Sequence, residues 1–127
     1  MNSVTHKKID SSLYGRALSL EDNFCTLELK TDERMVADDF GLVHGGAIFA
    51  AADYAAMLAV NRPNVVLGSA TSQFIKPVVV SDVVHFEAKV VAEQGKKRYV
   101  SVEASVTGEN VYVGEFVCFD LDKHVLS

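Results

Sequence analysis

Between Ala47 and Val60, thirteen of fourteen residues are apolar, seven of them are alanine, and the exception is Asp53. The run contains no internal glycine or proline, so it predicts a helix. A helix without a polar face must be covered all round, and fourteen residues fall short of a membrane span. The rest of the chain therefore has to wrap around it. With 127 residues, that means one domain over 1–127 with a core of its own.

The wrapping material reads as strands. Leu13 to Leu20 and Phe24 to Lys30 form a hairpin across Glu21-Asp22-Asn23, and Cys25, Leu27 and Leu29 share one face of the second strand. Residues 1–12 are mostly polar and are expected to be loosely held. Thr31 to Val43 predicts an irregular connection, and Arg62-Pro63-Asn64 should stop the helix. Beyond it, Val65 to Ile75 leads to Pro77. Phe86, Ala88, Val90 and Ala92 then alternate with polar neighbours, as do Val100, Val102, Ala104 and Val106. Such period-2 runs imply antiparallel sheet with one face on a core. Val111 to Leu121 is apolar on both faces, which predicts a central strand or one covered on both sides. The expected architecture is α+β: a curved antiparallel sheet around one central helix, its outer face free for another subunit.

Composition excludes several classes. A net charge of −5 argues against general nucleic-acid binding, which needs a basic surplus. The short run Lys96-Lys97-Arg98 could meet phosphates or be a solvated turn. Cys25 and Cys118 lie far apart without metal-ligand spacing, so no metal is expected and reduced, buried thiols are. The first residues lack the apolar stretch of a signal peptide. These features predict a cytoplasmic protein with no membrane partner.

Asp53 is the residue that carries chemistry. It falls in the third turn, too deep to cap the helix, and a buried carboxylate needs partners or a raised pKa. It is either a structural acid or a catalytic one. Just before the helix stands His44-Gly45-Gly46. Free N–H groups at a helix entrance suit an anion or a developing oxyanion. An oxyanion donor and a buried carboxylate are the two halves of an acyl-transfer site.

The stretch His44-Gly45-Gly46, with six residues between Gly46 and Asp53 and continuing to Asn61, resembles the central-helix motif of the hotdog-fold acyl-CoA thioesterases. It is most similar to their PaaI-like (phenylacetate-type) branch. Phe74-Ile75-Lys76-Pro77 resembles the family's strand ending in proline, and the likeness spans about residues 13–121.

The resemblance implies a fold, an activity and a set of site residues. The fold would be the hotdog, and the activity hydrolysis of an acyl-CoA thioester to a carboxylic acid and free CoA. CoA would enter only as part of the substrate, without a separate cofactor. Asp53 would be the general base or the nucleophile, and the Gly45 N–H the oxyanion donor. Gly46 would hold the turn against the substrate, and His44 would orient the loop. Thr71 would be the hydroxyl that supports the attacking water. Asp and Gly would come from different subunits of a homodimer, itself half of a homotetramer. A binding or sensing protein without turnover is the alternative. Two positions depart from the family pattern. Asp38 replaces an Asn that could donate to the thioester; an ionised Asp can only accept, but it could pair with His44. Ser81 stands before Asp82 where many relatives have Gly.

Overall fold

The apolar run is a helix, α2, spanning Gly45–Val60 in the computed structural model, which describes all 127 residues. A one-turn helix α1 (Ser11–Tyr14) and strands β1 (Arg16–Glu21) and β2 (Phe24–Lys30) precede it. Strands β3 (Val65–Phe74), β4 (Val83–Gln94), β5 (Lys97–Val106) and β6 (Glu109–Asp120) follow. The six strands make one sheet in the order β1-β2-β4-β5-β6-β3, and every neighbouring pair is antiparallel. This is the α+β hotdog architecture, a curved sheet around one helix.

Register explains the core. Leu27, Phe86, Ala104, Tyr112 and Phe74 lie opposite one another across five strands, forming a row on the helix side of the sheet. The adjacent row runs Cys25, Ala88, Val102, Gly114 and Ser72. Leu27, Phe86 and Tyr112 are fully buried, and burial of side chains this large stabilises by about 1.5–3 kcal/mol each. β6, expected to be central or covered on both sides, is an interior strand, paired with β5 on one edge and β3 on the other, but lies fifth of six, next to the sheet's edge. The alanines at 51, 52, 55, 56 and 59 are all fully buried, and their small side chains allow α2 to lie close against the sheet.

Several local expectations are corrected. Leu13 and Tyr14 belong to α1 rather than to a strand, because Asp10 caps that turn by accepting from the Ser12 N–H at 2.9 Å. α2 ends before Pro63: Asn61 adopts the left-handed conformation (φ +48) and donates its N–H to the Met57 carbonyl. The same Asn61 side chain holds the start of the chain. Its Oδ1 accepts from the Val4 N–H at 2.8 Å, and its Nδ2 donates to the Asn2 carbonyl at 3.1 Å. Residues 1–12, expected to be loosely held, thus have an anchor, and Thr5 is buried. Alternation along β4 stops at a bulge between Val90 and Ala92, which leaves Val91 exposed.

The helix itself departs from its sequence in an informative way. It is not covered all round: Gly46 is exposed, and Phe49, Ala50, Asp53 and Tyr54 are half-buried. Spacings of three and four residues place Gly46, Phe49, Ala50 and Asp53 on one stripe. The sheet encloses the C-terminal half of α2 and leaves this stripe open beside β3, an edge strand whose residues 68–71 are exposed.

Ser81 has φ +82, a conformation that glycine tolerates and a Cβ does not. Ser81→Gly should therefore raise stability by up to about 1 kcal/mol, read as a higher midpoint in urea denaturation with unchanged slope.

Candidate active site

His44 is the N-cap residue of α2, with extended backbone (φ −61, ψ 133) and a side chain that makes no capping bond. Its backbone is pinned on both sides: the N–H donates to the Met35 carbonyl and the C=O accepts from Ala47, at 2.8 and 3.0 Å. The next two N–H groups, those of Gly45 and Gly46, donate to no protein acceptor. They are the free donors of a helix N-terminus, aided by its dipole. The His44 ring folds back over Gly46, where a Cβ would lie 2.8 Å from Nε2. Gly46 thus keeps the loop compact, while a Cβ at Gly45 would meet the Phe74 ring at ordinary contact distance. A cavity of about 220 Å³ opens beside Gly45, its wall formed largely by Leu42, Ile48, Phe74, Val78 and Val111.

Asp53 lies two turns further along α2. One of its carboxylate oxygens, Oδ1, is fully buried and has no hydrogen-bond partner. Burial raises its pKa above the ordinary carboxylate value. Asp53 forms no ion pair and no hydrogen bond with another side chain, so the structural role of a buried acid satisfied by a neighbouring strand is not what this protomer displays. The thiols of Cys25 and Cys118 are buried and pushed up to about 12 by desolvation, which makes them inert.

The remaining candidates separate. Asp38 is exposed, and its Oδ1 accepts from the Phe40 and Leu42 N–H groups at 2.9 and 3.2 Å. It holds its own loop and makes no bond to His44. Thr71 is exposed in β3, opposite Glu115 of β6, on the sheet face away from α2. The hydroxyl on the helix side is its neighbour Ser72, bonded at 2.6 Å to Tyr112 Oη. Sequence reasoning passed over Ser72 and Tyr112, and read Phe74 only as part of a strand end. Ala70 and Phe74 share Ser72's parity along β3 and mark the inner face, but the bulge between Leu67 and Ser69 hides that alternation. The basic residues that could meet CoA phosphates are mostly engaged: Lys76 with Glu109, Arg62 and Arg98 with Asp120, Lys96 with Asp122. Lys97 has no acidic partner. No three His, Cys, Asp or Glu side chains gather as metal ligands, and no helix is long and apolar enough to cross a membrane.

The fold is that of the hotdog proteins, and the site combines a helix-entrance amide pair with a buried carboxylate. Sequence comparison places the chain in a family: the Thioesterase superfamily profile matches residues 40–112, more than half of the chain. The chain belongs to the thioesterase superfamily. It is 48% identical over 116 residues to a protein of Aquifex aeolicus named methylthioribose-1-phosphate isomerase, covering 91% of this chain and 25% of that one. It is 33% identical over 79 residues to the transcription factor FapR of Staphylococcus aureus, covering 62% of this chain and 43% of FapR. The chain thus spans a quarter to less than half of these curated relatives. The crystal structure of the uncharacterized protein PH1136 from Pyrococcus horikoshii superposes with TM-score 0.98 at 44% identity, covering 100% of this chain and 98% of that one. PaaI of the E. coli phenylacetic acid degradation operon shares the fold, with TM-score 0.82 at 19% identity over 90% and 84% of the two chains.

The raised pKa gives a signed prediction. Asp53 holds its proton more tightly folded than unfolded, so it costs stability as pH rises from the ordinary carboxylate value through its raised folded value. Asp53→Asn should melt higher than wild type at neutral pH, and the gain should vanish below the unfolded carboxylate pKa. Thermal melts of both proteins across pH read it directly.

Proposed function

We propose that this protein hydrolyses an acyl-CoA thioester, with Asp53 as the base and the Gly45 N–H as the oxyanion donor. The observation that carries this reading is the unpartnered, buried Asp53 oxygen on the same helix whose first amides have no acceptor. Membership of the thioesterase superfamily supports it. Water adds to the thioester carbonyl as Asp53 takes its proton, and the oxyanion rests on the Gly45 amide. Collapse of the tetrahedral intermediate breaks the C–S bond, and Asp53 returns the proton to the departing CoA thiolate. Direct attack by Asp53, through a mixed anhydride that water then opens, uses the same two groups. No step calls for a metal. The cavity beside Gly45 suits one apolar arm of the substrate.

Both groups cannot serve one carbonyl within a single copy. Eight residues separate Gly45 from Asp53, which at 1.5 Å per residue is about 12 Å along the helix. The reading therefore includes a homodimer in which Gly45 of one subunit meets Asp53 of the other. The open stripe on α2 and the exposed edge of β3 are the surfaces such a partner would cover. Pairing of dimers into a tetramer through the outer sheet face remains part of the proposal.

The likeness to FapR favours a second reading, because that relative is named as a transcription factor and not as an enzyme. On it, this chain binds an acyl-CoA without turnover. A thiol-release assay over a panel of acyl-CoA esters separates the two. The thioesterase reading predicts release by wild type and a loss of kcat of at least about a hundredfold in Asp53→Asn, the scale of a lost general base. Saturable binding with no thiol released would support the second reading, and full activity in Asp53→Asn would remove the proposed mechanism.

A further inference from the structure

The cavity of about 220 Å³ beside Gly45 has an exposed mouth and a buried back. Leu42 and Phe74 at the mouth are exposed, whereas Ile48, Val78 and Val111 at the back are buried. Ile48 lies one turn of α2 beyond Gly45, on the same face. The helix that offers the free Gly45 N–H thus also supplies part of the back wall. The opposite wall is held in place. The Phe74 ring meets Tyr112 edge-on at a centroid distance of 5.2 Å, and the Tyr112 hydroxyl is bonded to Ser72. The Ile75 N–H donates to the Val111 carbonyl at 2.8 Å, which ties the chain just past β3 to β6.

Two arms extend from the carbonyl of an acyl-CoA. The CoA arm carries amides and phosphates, whose hydrogen bonds to water an apolar cavity cannot replace. The acyl arm is the one that gains by leaving water. Lys76 is the only charged residue on the cavity wall, and its Nζ is already paired with Glu109 at 2.8 Å. A second carboxylate at the far end of the acyl group would find no free cation there and would be desolvated at a cost.

We propose that this cavity holds the acyl group and limits it to a hydrocarbon of about eight carbons, with Ile48 and Val111 setting the limit, since an apolar cavity of about 150 Å³ takes the six carbons of one benzene ring. The proposal rests on the thioesterase reading for its chemistry. The size limit is a property of the cavity alone and acts on any ligand with a CoA arm and an apolar arm.

Two series of ligands test it on the full chain: S-alkyl-CoA thioethers from ethyl to hexadecyl, which cannot be hydrolysed, and acyl-CoA thioesters of the same lengths. Thioether affinity, read by calorimetry, should rise about fourfold per added carbon, the scale of one buried methylene. It should peak near octyl and be at least about fivefold weaker for hexadecyl, which overfills the cavity. An octyl chain that ends in a carboxylate should bind at least about tenfold more weakly than octyl itself. Wild-type kcat/KM toward the thioesters should follow the same profile. Ile48→Ala removes three carbons and should move the peak about two carbons longer, while Val111→Leu adds one and should move it about one carbon shorter. Val84→Ala, an equally buried change in β4 outside the cavity, should leave the peak in place. Affinity that is indifferent to chain length or climbs through hexadecyl would overturn the proposal. So would a peak that neither cavity variant moves, an equal shift in Val84→Ala, or equal binding of the carboxylate-ended chain. A thioether series that peaks as expected, with no thiol released from any thioester, would count against the thioesterase reading alone.

Discussion

Five fully buried alanines let α2 lie against the sheet at a distance that larger side chains would forbid. Interiors are packed to crystal-like density, so this close approach sets where everything else can go. It draws Asp53 inward until one carboxylate oxygen loses all access to water. It also seats Phe49 on Phe116, with ring centroids 5.7 Å apart, and leaves room for about one methyl group between Gly45 and the Phe74 ring, so the helix entrance faces β3 and β6. The strained chemistry of a raised carboxylate is a consequence of ordinary core packing.

The same packing is uneven along the helix. Six strands enclose the C-terminal half, whereas the stripe through Gly46, Phe49, Ala50 and Asp53 is left partly open. A helix that is apolar on this stripe and unpaired beside an edge strand is unfinished as a single copy. On the reading proposed above, the second copy completes it, and the fixed rise of the helix is what makes two copies necessary. Stability and activity then pull in opposite directions at Asp53: desolvation disfavours the charge, and a desolvated carboxylate is the more effective base.

Much of this was legible in the residues. The all-apolar run with a single Asp pointed to the helix, the alternating runs to the sheet, and His44-Gly45-Gly46 with Asp53 to the candidate site. What was hidden has physical causes. The open stripe could not be read because an apolar residue looks the same whether a sheet or another subunit covers it. The bulge between Leu67 and Ser69 shifts the parity of β3, so the inward hydroxyl is Ser72 and not Thr71. Asp38 turns its carboxylate to its own loop amides, a local contact that competes with any longer-range partner such as His44. The positive φ of Ser81 is a property of its turn that the residue type does not disclose.

The central claim, that one copy supplies the amide and another the carboxylate, has a direct test in subunit complementation. Asp53→Asn removes the base, and Gly45→Pro removes the N–H at the first helical position, where proline is tolerated and the extended His44 before it is compatible. Each variant alone should be inactive. When the two are unfolded together and refolded as a mixture, half of the dimers are hybrids, and each hybrid pairs an intact Asp53 with an intact Gly45 at one of its two sites. The account predicts recovery of about a quarter of wild-type activity in the mixture. No recovery, with hybrid dimers shown to have formed, would contradict it.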